Sequence, residues 1–298
     1  MKWILLTGGS GFIGRNILES DLAKKYEIVA PSHRELDLLD DKSVDLYFAK
    51  NTFDCVLHSA VKPCHRNAKN RDALFESNMR IFLNLERNKD SYGKFINFGS
   101  GAIYGQFQDI TNATEKEIFS VVPQDEHGVC KYAVHKIIEN LPNFVDLIIF
   151  GIFGKYEDWE IRFISNALCK SIYGLPITLR QNRRFSYIDV NDLMAILELF
   201  IENTPKYKAY NIVPNSYVEL ANIAKMIVKN STDLKIASDG FGLDYYGDNQ
   251  RLISEFPNVK FTRIEDSISK LYDFYAKNIA TINKELLLFD KWGFVWAK

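Results

Sequence analysis

Apolar residues fall in short runs separated by polar segments with a helical period. Trp3-Ile4-Leu5-Leu6 gives Lys2–Thr7 the pattern of a strand buried on both faces. A glycine turn follows at Gly8–Gly14. Arg15–Lys25 then predicts a helix, with Ile13, Ile17, Leu18 and Leu22 close to the 3.6-residue period. Glu27–Ala30 predicts a second strand, ended by Pro31. Ser43–Ala49 predicts a helix, Cys55–His58 a third strand, Leu74–Leu85 a long helix and Phe95–Phe98 the next strand. Strands alternating with helices imply parallel βαβ units in a doubly wound sheet. After Phe150 the pattern loosens into short mixed segments rich in glycine and proline, up to about residue 216. Val218–Lys229 then predicts an amphipathic helix, 240–250 a loop, and Ser267–Lys277 and the stretch after Thr281 helices.

Composition narrows the classes. Hydrophobic residues make up 47% of the 298, enough apolar surface to favour a packed fold over disorder. The 37 basic residues against 38 acidic ones leave a net charge of −1, so no basic field is available to hold a nucleic-acid backbone. No apolar run approaches the roughly 20 residues of a membrane span. The apolar stretch at the N-terminus is too short for the core of a signal peptide. Cysteines at 55, 64, 130 and 169 have neither disulfide-framework nor zinc-site spacing, so no metal is expected and a reducing cytoplasmic setting fits. Cys64-His65 lacks further ligands and reads as a surface pair, and Cys130 as a packed helix-start residue.

Candidate chemistry begins at Thr7-Gly8-Gly9-Ser10-Gly11-Phe12-Ile13-Gly14. Such a turn lets backbone approach a pyrophosphate and presents free N–H groups at a helix start. Glycine spacing alone is weak, but here it follows a strand and opens a βαβ unit. Gly8, Gly11, Phe12, Ile13 and Gly14 are therefore the expected dinucleotide contacts. An acidic residue ending the second strand would favour NAD; this chain has Pro31-Ser32-His33-Arg34. Ser32 and Arg34, with Arg15 nearby, suit a 2′-phosphate and favour NADP(H) over NAD(H). Glu35 and Asp37 argue the other way, and a solvated Arg34 is the competing reading.

Tyr132 and Lys136 stand four apart, on one face of a helix. A nearby lysine favours the phenolate and lowers the pKa of tyrosine, which is otherwise about 10. Ser100, in Gly99-Ser100-Gly101-Ala102-Ile103-Tyr104-Gly105 after a strand, can hold a substrate carbonyl.

With these residues together, the chain resembles the extended short-chain dehydrogenases/reductases that act on nucleotide sugars. The resemblance runs over nearly the whole chain. It includes the glycine turn, Leu57-His58-Ser59-Ala60, Asn78, Ser100 with Tyr104-Gly105, Tyr132/Lys136, and Arg183-Arg184-Phe185-Ser186-Tyr187-Ile188-Asp189. It implies a Rossmann-type sheet over 1–153, with segments at about 185–215 crossing back. A smaller C-terminal α/β domain over 154–298 would bind the nucleotide sugar. It also implies His58, Ala60 and Lys136 at the cofactor, and a homodimer built through the helices around Leu74–Leu85 and Tyr132–Asn140.

Within that class the chain is most similar to GDP-fucose synthases and GDP-sugar reductases, through Arg34–Asp40, Glu76-Ser77-Asn78-Met79 and Gly99–Tyr104. GDP-fucose synthases epimerise C3 and C5 with a cysteine two residues after the serine and a histidine farther on, and then reduce C4. Here Ala102 stands at the first position, and Arg162 at or near the second. Neither moves protons well. The implied activity is NADPH-dependent reduction of the C4 keto group of a nucleotide-linked, GDP-type 4-keto-6-deoxy sugar without epimerisation, in surface-polysaccharide sugar synthesis. Ser100, Tyr132 and Lys136 would be catalytic, and Ala102, Tyr104, Arg162, Arg183, Tyr246 and Arg251 would meet the substrate. Gly151, Lys155 and Val190 depart from the class pattern, and the 32 residues from Ser100 to Tyr132 exceed its usual spacing. The alternatives are an NAD-dependent epimerase and a non-catalytic NADP(H) sensor.

Overall fold

The computed structural model describes residues 1–65, 67–228 and 233–288. The chain opens with β1 (Trp3–Thr7), α1 (Phe12–Glu19), α2 (Leu22–Lys25), β2 (Glu27–Val29), α3 (Asp41–Phe48), β3 (Phe53–His58), α4 (Leu74–Arg87), β4 (Tyr92–Ser100), β5 (Ile110–Ala113), α5 (Glu126–Ile138) and β6 (Phe144–Ile149). It continues with β7 (Gly151–Phe153), α6 (Phe163–Ile172), β8 (Ile177–Asn182), β9 (Arg184–Phe185), β10 (Tyr187–Asp189), α7 (Val190–Glu202) and β11 (Ala209–Ile212). Last come β12 (Val218–Glu219), α8 (Leu220–Ile227), β13 (Leu234–Phe241), β14 (Tyr245–Gly247), α9 (Gln250–Glu255), α10 (Ile264–Lys277) and α11 (Lys284–Leu287).

Six strands form one parallel sheet in the order β11-β6-β4-β3-β1-β2, the expected Rossmann-type α/β fold. Its strands are apolar on both faces because helices cover both. Ile4, Leu6 and Leu57 face α1 and α7, while Leu5, Val56 and Phe95 face α3, α4 and α5. A third core joins α6, α8 and α10 to β8. Between the two regions, β5, β9, β12 and β14 make a small sheet beside the ends of the main strands.

Several elements differ from the sequence expectation. The first helix starts at Phe12 and stops at Glu19, because Ser20 turns extended and its hydroxyl bonds the Ile17 carbonyl at 2.8 Å. The expected loop at 240–250 contains β14, which lies between β9 and β5. Helix α7 (Val190–Glu202) follows β10 directly and buries Leu193, Met194, Ile196, Leu197, Phe200 and Ile201, within the stretch whose sequence pattern is loose. The end of the helix expected to reach Lys229, and the chain beyond residue 288, lie outside the described residues.

The rotation of α5 is fixed from below. His135 Nδ1 lies 3.1 Å from the Asp146 carboxylate on β6, and that carboxylate accepts from Asn97 of β4 at 2.7 Å. All three side chains are buried, so turning the helix would strand them without partners.

Candidate functional site

The sheet order reverses at β1, which pairs with β2 on one side and β3 on the other. Such a reversal opens a crevice at the carboxyl ends of the strands. Thr7 and His58 end the two strands, with Thr7 Oγ1 2.8 Å from His58 Nδ1. The Ala60 N–H donates to the same hydroxyl at 3.3 Å. Gly8 has φ +74°, and a Cβ there would sit 2.7 Å from the Ala60 nitrogen. A Cβ on Gly14 would sit 2.3 Å from the Gly8 carbonyl oxygen. No side chain caps the start of α1, so its first N–H groups and its positive dipole end face the crevice. This cradle, which side chains would fill, fits a dinucleotide pyrophosphate.

Beside it, Arg34 is exposed on the turn after β2. Ser32 gives its N–H and hydroxyl to the Glu35 carboxylate at 2.7 and 2.8 Å. These bonds hold the Glu35 pKa below the usual carboxylate value. Arg15 is occupied by stacking, with its guanidinium 3.7 Å from the centre of the Tyr156 ring.

The reacting end lies at β4 and α5. Ser100 Oγ accepts from the Ala102 N–H at 3.2 Å and is within hydrogen-bonding reach of the Tyr245 hydroxyl. Burial pushes the Tyr245 phenol up to about 12. A small pocket of about 20 Å³ is lined by His58, Ala60, Asn78, His127, Cys130 and Lys131, and its floor by the buried Phe82, Asn97 and Val134. Lys131 Nζ donates to the Phe98 carbonyl at 2.8 Å, and burial lowers its pKa. His127, one turn earlier, is brought down to about 4 by burial and by Lys131, against the opposing pull of Asp125. His58 is brought down to about 3 by burial, with Lys131 a smaller cause.

The expected tyrosine and lysine are not in this cleft. At about 100° per residue, Tyr132 and Lys136 lie about 140° and 180° round α5 from His127. Tyr132 meets the Phe119 ring edge-on at 5.0 Å between centroids. Lys136 has a side chain 60% exposed, lies 4.1 Å from the centre of the Phe119 ring and pairs with Glu139 at 3.7 Å. The helix face toward the sheet carries His127 and Lys131 instead. A sequence signal for this existed. Cys130, Val134 and Ile138 are apolar and mark the inward stripe, and His127 and Lys131 fall on it with the same four-residue spacing.

Other expected substrate residues divide. Tyr104 is buried, with its hydroxyl on Asn211 Oδ1 at 2.8 Å, so it serves the core and not the cleft. Arg251 bonds the Ala209 carbonyl at 2.9 Å and sits 3.6 Å from Glu115, which ties it to β11. Ala102 is fully buried beneath the turn after Ser100. Arg162, just before α6, is exposed, and its charge acts on His127, Tyr187 and Tyr245. Arg183 also acts on Tyr187 and Tyr245. Its Nε is buried without a hydrogen-bond partner, and its guanidinium lies over Phe185. Tyr246 packs beside Tyr217, ring centroids 4.9 Å apart, and both line a separate open groove with Asn112 and Asn215.

Residues 4–213 match the NAD dependent epimerase/dehydratase family. GDP-L-colitose synthase of Yersinia pseudotuberculosis is 35% identical over 170 residues, which are 53% of this chain and 55% of that protein. The chain thus spans about half the length of the curated relatives it matches. Among solved structures, a GDP-6-OMe-4-keto-L-xylo-heptose reductase from C. jejuni superposes with TM-score 0.81 at 19% identity, over 93% of this chain and 98% of that one. A GDP-mannoheptose C4 reductase from Campylobacter jejuni with NADP bound gives 0.79 at 20% identity, over 92% and 98%.

Proposed function

Because the chain belongs to the NAD dependent epimerase/dehydratase family, we propose that it reduces the C4 keto group of a nucleotide-linked 4-keto-6-deoxy sugar, with GDP as the carrier and NADPH as the reductant. The observation that carries this reading is the open glycine cradle, which abuts Ala60 at the mouth of the pocket that Lys131 lines, with Ser100 on the turn packed against the start of α5. Relatives and structural neighbours named as GDP-sugar synthases and reductases support the substrate class.

When bound, NADPH supplies the hydride. The glycine turn would hold its pyrophosphate on free N–H groups, and Arg34 its 2′-phosphate by charge-assisted hydrogen bonds. Lys131, in the cleft, takes the place Lys136 was expected to fill beside the nicotinamide ribose. Ser100 would hold the carbonyl oxygen by donating its hydroxyl. The buried, unpartnered Nε of Arg183 suits a diphosphate oxygen, and Tyr217 with Tyr246 offers faces on which a base could stack. Ala102 cannot carry a proton, and an arginine at Arg162 stays charged, so C3 and C5 keep their configuration.

A homodimer through the outward faces of α4 and α5 belongs to the same proposal. Phe75 and Leu83 are exposed there, and gel filtration at the mass of one chain would contradict it. The activity is tested by NADPH oxidation with GDP-, dTDP-, CDP- and UDP-linked 4-keto sugars. Oxidation with the GDP sugar is expected. No oxidation with any of them, or purified protein that retains tightly bound NAD, would contradict the reading.

A further inference from the structure

We propose that His127, and no tyrosine of α5, is the acid that protonates the substrate's carbonyl oxygen, with Lys131 one turn along the helix as its electrostatic partner. This rests on the reductase reading. The placement is direct. His127 and Lys131 line the cleft with His58 and Ala60, at the strand ends where the glycine cradle opens. The first turn of α5 lies hard against the turn that Ser100 caps: a Cβ on Gly128 would come within 2.8 Å of the Ala102 carbonyl oxygen. An oxygen held by Ser100 is therefore held beside this end of the helix.

The other acids nearby are committed or weak. His58 Nδ1 is engaged by Thr7, and Lys131 donates to the Phe98 carbonyl. Tyr245 is buried among Phe150 and Phe185, and the Cys130 thiol is pushed up by burial. Tyr132 packs on Phe119, on another side of the helix.

Charge fits the role. His127 feels Lys131 and Asp125 from its own helix and Arg162 from the start of α6. Burial, with two cations against one carboxylate, holds its pKa at about 4, so the imidazolium is a minor form at neutral pH and a strong proton donor when formed, and the cation beside it stabilises a developing alkoxide. In the step, hydride from the dihydronicotinamide forms the new C–H bond and the carbonyl π pair moves to oxygen. The oxygen takes the proton from the imidazolium, which becomes neutral imidazole. The nicotinamide is oxidised, the carbon reduced, and the imidazole regains its proton from water.

The test combines pH–rate profiles with imidazole NMR on the full chain, using GDP-4-keto-6-deoxymannose and NADPH. Wild-type kcat/KM is expected to fall as pH rises through the lowered His127 pKa of about 4, on the acid side of neutrality. His127→Gln should lose about 10²–10⁴-fold, the usual range for general acid catalysis. His127→Tyr should regain part of that loss, with its falling limb moved to higher pH. In ligand-free protein, Lys131→Met should raise the pH at which the His127 imidazole titrates, and NADP⁺ should shift that resonance in the wild type.

His127→Gln turnover within twofold of wild type would overturn the proposal. So would a comparable loss in Tyr132→Phe or Tyr245→Phe with the His127 variants unaffected. Should wild-type protein reduce no 4-keto sugar, the reductase reading fails by itself. The NMR arm then still decides whether His127 stands at the cofactor: an unmoved resonance overturns the placement, and a shifted one upholds it.

Discussion

At the scale of the residue, the cradle leaves little room for change. A side chain on Gly14 would press into the Gly8 carbonyl at 2.3 Å, and that carbonyl is backbone. Gly14→Ala is therefore expected to abolish saturable NADPH binding, read by quenching of protein fluorescence, while the circular-dichroism spectrum stays close to wild type. Arg34 is exposed, so its contact with a 2′-phosphate is partly screened. Arg34→Ala should raise the Kd for NADPH about tenfold, the lower end for a charged hydrogen bond, and leave that for NADH nearly unchanged. Equal losses for both cofactors would remove Arg34 from the phosphate site. Ser100→Ala should lower kcat by about 10², as removal of one oxyanion donor does. The serine and the glycines were legible in the sequence because each stands where a strand gives way to a turn. On α5 two pairs with the same spacing overlap, His127/Lys131 and Tyr132/Lys136, and residue chemistry alone favours the tyrosine. Only the inward stripe of the helix separates them.

At the scale of the element, packing overrides local pattern where buried polar groups decide. Ser20 breaks the first helix by bonding its backbone, and Asp146 fixes the rotation of α5 through His135. Glu157, between β7 and α6, is another such group. It is buried, its carboxylate accepts from Ser165 Oγ at 2.5 Å, and burial pushes its pKa up to about 8. A carboxyl whose folded pKa lies above its unfolded 4.5 binds its proton more tightly when folded. Its stabilising contribution is present below about 4.5 and is lost as pH rises to about 8, at up to about 1.4 kcal/mol per pH unit. Glu157→Gln should flatten the fall in Tm between those limits and raise Tm at the alkaline end. An unchanged Tm–pH curve would show that the carboxyl is ionised in the fold. None of this was visible in the sequence, because Glu157 resembles any surface glutamate until the fold buries it.

At the scale of the molecule, the near-zero net charge means that the proposed anionic cofactor and substrate would meet local groups and not an overall field. The order β11-β6-β4-β3-β1-β2 puts the start of α1 at the carboxyl end of β1, Lys131 bonds the Phe98 carbonyl near that end of β4, and Arg162 acts on His127 one turn from Lys131. The alternation of strands and helices up to Phe98 made this sheet readable. The later part was less readable, because its strands are two to eight residues long and pair across large sequence separations. The central claim is one reduction at C4 with no proton exchange at C3 or C5. It is tested most directly by treating a GDP-linked 4-keto-6-deoxy sugar with NADPH in D₂O and with 4-deuterated NADPH in H₂O, and reading each product by NMR. The account predicts deuterium at C4 from the labelled cofactor and none at C3 or C5 from solvent. Solvent deuterium at C3 or C5, or no carbon-bound label from the cofactor, would contradict it.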